Sequence, residues 1–369
     1  MEWKQELKNS ITEVEQLLQQ FPQLQMDSPA LQELIRHYPM RIPQYYLSLA
    51  DREDLNDPIL KMCVPSINEL ARGGAADTSG ESNSTMLQGL QHKYGPTVLI
   101  LSTNRCAMYC RHCFRKRLVG ISDEEIARRL VDIVAYIREH EEISNVLISG
   151  GDAFMNSNTS LRQLLEHLCA IPHLRMIRFG SRVPVVLPSR IYGDENLLDL
   201  LEDFGQQKQL YVVTQFNHPH EITSESQSAI QALLDRNVML SNQTVLLRGV
   251  NNQPAIIAEL MNRIVEIGVI PYYIFQCRPV AGVHHHFQLP LLNGYHVIEE
   301  AKKSLSGHAK RFRFIMSHAR GKIEILGLDH TGYMIFKYHM AHFDEDQGRV
   351  FRCSITPEQL WLDDQQAST

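Results

Sequence analysis

From residue 97 onward, short apolar, β-branched runs alternate with amphipathic windows, and that alternation constrains the fold more than any other feature. The runs cover 98–102, 145–149, 176–179, 210–214, 238–240 extended by 244–247, and 271–275. Between them, helical patterns occupy 123–140, 159–170, 195–204, 224–235 and 255–267. Six strands alternating with helices predict parallel βαβ units that close into a barrel or part of one. In such folds ligand-binding groups gather at the carboxyl ends of the strands. The flanks differ. Leu7, Ile11, Val14, Leu17 and Leu18 recur at helical spacing, so the N-terminal region, 1–90, reads as helical. Residues 72–85, rich in Gly, Ser, Asn and Asp, read as a flexible loop or boundary within it. The barrel is expected over 91–300. Residues 301–369 form a C-terminal segment, with a β-rich appendage at 307–352 and a polar tail from 356 that should fray.

Composition narrows the class. The chain has 369 residues, 44% hydrophobic and 21% charged, which suits a folded protein rather than a disordered one. The net charge of −6 disfavours a nucleic-acid partner. No apolar run reaches the ~18 residues that span a bilayer, and MEWKQELKNS lacks the apolar core of a secretory signal. No membrane partner and a cytoplasmic location are the expectation.

Three of the seven cysteines, Cys106, Cys110 and Cys113, fall within eight residues directly after the first barrel strand. Iron–sulfur clusters are held by thiolates, normally four, so three leave one iron open to a small molecule. A zinc site recruiting His112 or a remote fourth ligand is the alternative. The basic neighbours Arg105, Arg111, Arg115, Lys116 and Arg117 favour thiolates over inert core thiols. The remaining cysteines are scattered and read as small core residues.

The spacing Cys106-x-x-x-Cys110-x-x-Cys113 resembles that of radical S-adenosylmethionine (SAM) enzymes. The words RCAMYCRHCFRKRLVG, SGGDAF, GSRVPVVLPSRI, TQFNHPHEIT, NQTVLLRGVNN and PYYIFQC resemble, in order, the lysine 2,3-aminomutase family over roughly 40–325. The resemblance implies a partial (β/α)6 radical SAM barrel, one [4Fe-4S] cluster on the three cysteines, SAM and pyridoxal 5′-phosphate (PLP). It implies an isomerase that moves an amino group from C2 to C3 of an amino acid, and an electron donor such as flavodoxin or ferredoxin. A homo-oligomer is also implied.

Residue by residue, the resemblance places Ser149, Gly150, Gly151, Asp152, His112 and Gln243 at SAM, with Gln215 where the family often has His. It makes Lys322, in Gly321-Lys322-Ile323, the PLP lysine, although Ser317-His318-Ala319-Arg320-Gly321 replaces the family's run of glycines. Lys93 and Arg111 are assigned to the PLP site. A second phosphate-binding arginine of the family corresponds to Thr97, with Arg320 or Arg105 as possible replacements. Arg115 matches the arginine that grips the substrate α-carboxylate, which a planar guanidinium suits. Where the lysine enzyme carries two aspartates for the distal ammonium, this chain has Arg278 and Ile315. A cation there disfavours lysine and favours an acidic substrate such as glutamate. The alternatives are a lysine 2,3-aminomutase proper and a radical enzyme that modifies a lysine on a protein or peptide. The run His284-His285-His286 cannot converge on one ion in regular structure and reads as pocket wall or interface. Asp344-Glu345-Asp346 reads as an exposed turn.

Overall fold

The computed structural model describes residues 2–24 and 29–368. One twelve-stranded sheet organises them, with strands neighbouring one another in sequence order. They are β1 Thr85–Leu87, β2 Leu90–Tyr94, β3 Thr97–Thr103, β4 Asn145–Gly150, β5 Met176–Gly180, β6 Gln209–Thr214, β7 Met239–Leu246, β8 Ile270–Gln276, β9 Arg313–His318, β10 Gly321–Leu328, β11 Met334–Ala341 and β12 Val350–Cys353. β3 through β9 run parallel, while β1–β2–β3 and β9–β10–β11–β12 are antiparallel. All six expected strands are present. The parallel array gains a seventh, because β9, assigned from sequence to the appendage, pairs with β8 in parallel register. The sheet passes unbroken through both expected boundaries, near 90 and near 300.

The strands are two-sided, as period-2 geometry requires. On β4, Val146 and Ile148 are fully buried, whereas Leu147 and Ser149 line a central chamber. The covering helices supply the complementary stripe. In Asn158–Cys169 the buried residues are Leu161, Leu164, Leu165 and Leu168, one face of a 3.6-residue repeat. Ser157 caps that helix, its hydroxyl accepting from the Ser160 amide at 3.1 Å. The window expected at 123–140 is helical only over Leu130–Glu139. Its first part is tied down instead, the Ala127 amide bonding to the Leu101 carbonyl at 2.8 Å.

Both flanks depart from expectation in informative ways. The N-terminal apolar repeat is split into helices Glu2–Lys8 and Val14–Gln20. Between them Ile11 makes a two-way β-bridge with Ile42, at 2.8 and 2.9 Å. A buried backbone pair wins there over helix continuation. The polar tail does not fray among the described residues. Leu362 and Ala367 are buried, and the Ala367 carbonyl accepts from Tyr338 Oη and Arg349 Nη2. Asp346, from the acidic turn, is buried between Arg320 and Arg349. No described helix is long and apolar enough to cross a membrane.

Candidate active site

The chamber inside the parallel strands has a volume of about 580 Å³ and runs from the cysteine loop to Lys322 on β10. The loop after β3 is fixed from the N-terminal side. Its Tyr109 and Arg111 amides donate to the Arg41 and Met62 carbonyls at 3.0 and 2.9 Å. Arg111 and Lys116 both pair with the buried Glu69, at 2.6 and 2.5 Å. Burial pushes the Glu69 carboxyl up, but the two cations prevail and hold it below the usual range. This corrects the assignment of Arg111. Its guanidinium is committed to Glu69 and to the Tyr38 and Pro39 carbonyls, it is absent from the chamber wall, and it cannot serve a phosphate.

Cys106, Cys110 and Cys113 all line the chamber. No three His, Cys, Asp or Glu side chains among the described residues close on a single metal ion. A cubane asks for something else: one thiolate on each of three irons. The donor set fits that group, being three thiols on one short loop at a chamber wall. Arg182 Nη1 donates to Cys110 Sγ at 2.8 Å and is itself paired with the buried Glu221. Burial pushes the Cys106 thiol well up and the Cys113 thiol to about 11.

The residues expected at SAM sit around this loop. His112 Nε2 lies 3.1 Å from Gln215 Nε2 and 3.2 Å from Asn217 Nδ2, and its Nδ1 is buried without a partner. Burial, then Arg182 and Lys116, hold the ring neutral. Ser149 and Gln243 face the chamber. Gly150 and Gly151 are needed by the fold itself. A Cβ on Gly150, at φ +116°, would lie 2.3 Å from the Thr103 carbonyl oxygen, and one on Gly151 2.3 Å from that of Arg105. These glycines let the end of β4 press against the cysteine loop. Asp152 reaches the chamber wall, but its carboxylate is spent on Ser181 Oγ and the Phe154, Arg182 and Val183 amides. It positions the β5 exit.

The opposite end is cationic. Lys322 Nζ sits 5.1 and 5.5 Å from the rings of Tyr273 and Tyr94, and its hydrogen-bond partner among the described residues is Met340 Sδ at 3.7 Å. Burial, then Arg178, Arg278 and Lys93, push its ammonium down to about 7. Lys93 Nζ donates to the Ser79 and His318 carbonyls at 2.8 and 2.9 Å, and burial with Arg278 brings it likewise to about 7. Arg278 donates to Ser79 Oγ and to Ser317 Oγ, the latter at 2.7 Å, and meets no carboxylate among the described residues. Burial lowers it to about 10. Arg115 pairs with Glu81 at 2.8 Å and donates to Ser149 Oγ at 3.3 Å. Both guanidiniums lie against Phe114, at 4.6 Å for Arg115 and 4.2 Å for Arg278.

Comparison with known proteins gives the family. Residues 100–261 match the Radical SAM superfamily. A putative L-lysine 2,3-aminomutase of Aquifex aeolicus is 39% identical over 90% of this chain and 89% of its own length. The chain belongs to the lysine 2,3-aminomutase family of radical SAM enzymes. L-lysine 2,3-aminomutase of Clostridium subterminale is 39% identical over 83% of this chain and 73% of its own, and glutamate 2,3-aminomutase of Clostridioides difficile 36% over 83% and 72%. Membership makes this aminomutase an isomerase and implies a [4Fe-4S] cluster, SAM and PLP.

Sequence reading missed three parts of this aminomutase site. Residues 72–85 are no free linker. Ser79, Glu81 and Ser84 are buried and line the chamber, and Asp77 accepts from the Ser79, Glu81 and Ser82 amides. Arg178 on β5 points inward, and Arg182 binds a cysteine sulfur. Arg178 was findable, since it occupies the inward phase of an expected strand. Of the replacements considered for Thr97, Arg320 is held by Asp346 and Arg105 is not on the chamber wall. Ile315 is fully buried outside the chamber lining, and the three histidines at 284–286 also lie off it.

Proposed function

We propose that this chain is a radical SAM, PLP-dependent amino-acid 2,3-aminomutase whose substrate carries a side-chain carboxylate, glutamate being the simplest. The observation that carries the reading is Arg278, a half-buried cation on the chamber wall held by two serine hydroxyls and by no carboxylate among the described residues. Charges withdrawn from water are ordinarily paired, so a half-buried guanidinium that faces a cavity without a carboxylate is open to an anion from outside. The chamber wall carries six lysine or arginine side chains against two carboxylates. Glu81 divides its charge between Arg115 and Arg117, leaving that corner net positive. Two guanidiniums against one phenylalanine ring match the two carboxylates of an acidic amino acid, Arg115 taking the α-carboxylate and Arg278 the distal one.

Cys106, Cys110 and Cys113 would hold the cluster, with SAM along Ser149, Gly150, Gly151, His112 and Gln243. Bound together, these would supply a carbon-centred radical, and PLP, held at rest by Lys322, would supply electron delocalisation during the migration. The chain's own contribution is placement. Lys322 has a depressed ammonium pKa, so near neutrality much of its Nζ carries the free lone pair needed to attack an aldehyde. The Tyr94 and Tyr273 rings lie against it. A flavodoxin- or ferredoxin-type electron donor, a homo-oligomer and a reducing cytoplasmic setting belong to the same proposal.

The test is incubation of anaerobic, reduced enzyme with SAM and PLP, offering glutamate, lysine and a lysine-bearing peptide in parallel. β-Glutamate as the main product is expected. Rapid β-lysine formation, or a modified peptide, with no β-glutamate overturns the acidic-substrate reading.

A further inference from the structure

The chamber floor holds a second cation without an acid, on a different strand. In the parallel register Thr97 on β3 sits beside Asn145 on β4, and Asn145 beside Met176 on β5. Arg178 is paired two residues further along, opposite Leu147, and shares the inward face with Met176. Diagonal neighbours across a sheet lie within reach of a long side chain. Arg178 uses that reach, its Nη2 donating to Asn145 Oδ1 at 2.6 Å. Asn145 is a bracket. Its amide nitrogen donates to the Pro96 carbonyl at 2.7 Å and to Thr97 Oγ1 at 2.9 Å. The guanidinium of β5 is therefore parked one side chain away from Thr97.

The bracket does not satisfy it. Arg178 Nε is buried with no hydrogen-bond partner, and no described carboxylate pairs with the guanidinium. A guanidinium presents five N–H donors in a planar fork, suited to two oxygens at once. Lys93, on the wall of the same chamber, spends two of three possible donors on carbonyls. Lys322 stands close enough for Arg178 to be the largest charge acting on it.

We propose that Arg178, with Lys93, holds the phosphate of the pyridoxal coenzyme at the chamber floor, taking over the place that Thr97 leaves without a cation. This rests on the PLP-dependent reading above. It commits the floor to a phosphate dianion and leaves Arg278 and Arg115 for the substrate. Asn145 acts as a positioning residue that aims the fork.

The experiment compares PLP with pyridoxal, which lacks the phosphate, by borohydride trapping on Lys322 and by equilibrium dialysis of cluster-loaded enzyme. Wild type should retain PLP much more tightly than pyridoxal. Arg178→Gln should weaken PLP ~10–100-fold and leave pyridoxal within ~2-fold, as loss of a charge-assisted bond to phosphate predicts. Arg178→Lys should fall between them, and remains readable if the glutamine variant does not fold. Thr97→Arg added to Arg178→Gln should recover most of the preference for PLP. A glutamine variant that still discriminates like wild type overturns the assignment of Arg178 alone. Wild type that traps neither compound on Lys322 overturns the PLP reading and this proposal with it.

Discussion

The two ends of the chamber treat charge in opposite ways. Around the cysteine loop every buried cation has an acid: Arg111 and Lys116 share Glu69, and Arg182 meets Glu221. Around Lys322, Lys93, Arg178 and Arg278 are held by carbonyls, an amide oxygen and hydroxyls. A buried ion pair is complete within the protein, and removing one member strands the other. A half-buried cation held by neutral oxygens is still open to a counter-charge. The first arrangement reads as scaffold for a loop that must be rigid, and the second as a receptacle for anions that arrive with the ligands.

That contrast can be broken by substitution. Cys110→Ser should have the largest effect, with iron and sulfide content falling and reductive release of 5′-deoxyadenosine dropping to the blank. Full deoxyadenosine yield in the variant would remove the loop from the chemistry. Glu69→Gln should cost about 3–5 kcal/mol in denaturant unfolding, since it leaves two buried cations uncompensated. A loss under about 1 kcal/mol would show that the pairing is not structural. Arg278→Gln should do the reverse, raising KM for glutamate ~10–100-fold while stability changes little. A stability loss with unchanged KM would move Arg278 into the scaffold.

The lysine gives a pH handle. Its folded pKa of about 7 lies below the usual ammonium value, so the reactive free amine is the major form above that pH. Trapping of pyridoxal on Lys322 should be level above pH 7 and fall ~10-fold per unit below it. A decline beginning near pH 10 would mean that the amine is not desolvated. The smallest effect belongs to Arg111→Lys, which should leave PLP retention within ~2-fold because Arg111 faces Glu69 and not the chamber.

The βαβ alternation was legible because parallel strands and their covering helices carry strong apolar periods, as in 145–149 and 159–170. The cysteine spacing and Lys322 stand out through motif words, and the structure sets all four side chains on the wall of one chamber. What escaped depends on non-local pairing. Nothing in 72–85 announces that Glu81 reaches Arg115, since Gly- and Ser-rich segments look alike whether they wander or cross a cavity. β9 was misfiled because an apolar run does not reveal whether its neighbour is parallel or antiparallel. The resemblance puts Arg111 with the coenzyme, yet its side chain turns to the N-terminal layer.

The sheet adds each strand beside the one made just before it, from β1 to β12. A ribosome could lay this wall down in the order it is spoken, with little waiting for distant partners. β10, with Lys322, is tenth of twelve, so this lysine emerges only after the cysteine loop and all the parallel strands, β3 to β9, are already chain. Cargo loaded at the thiol end during synthesis would therefore meet an unfinished vessel, and the far side would close behind it.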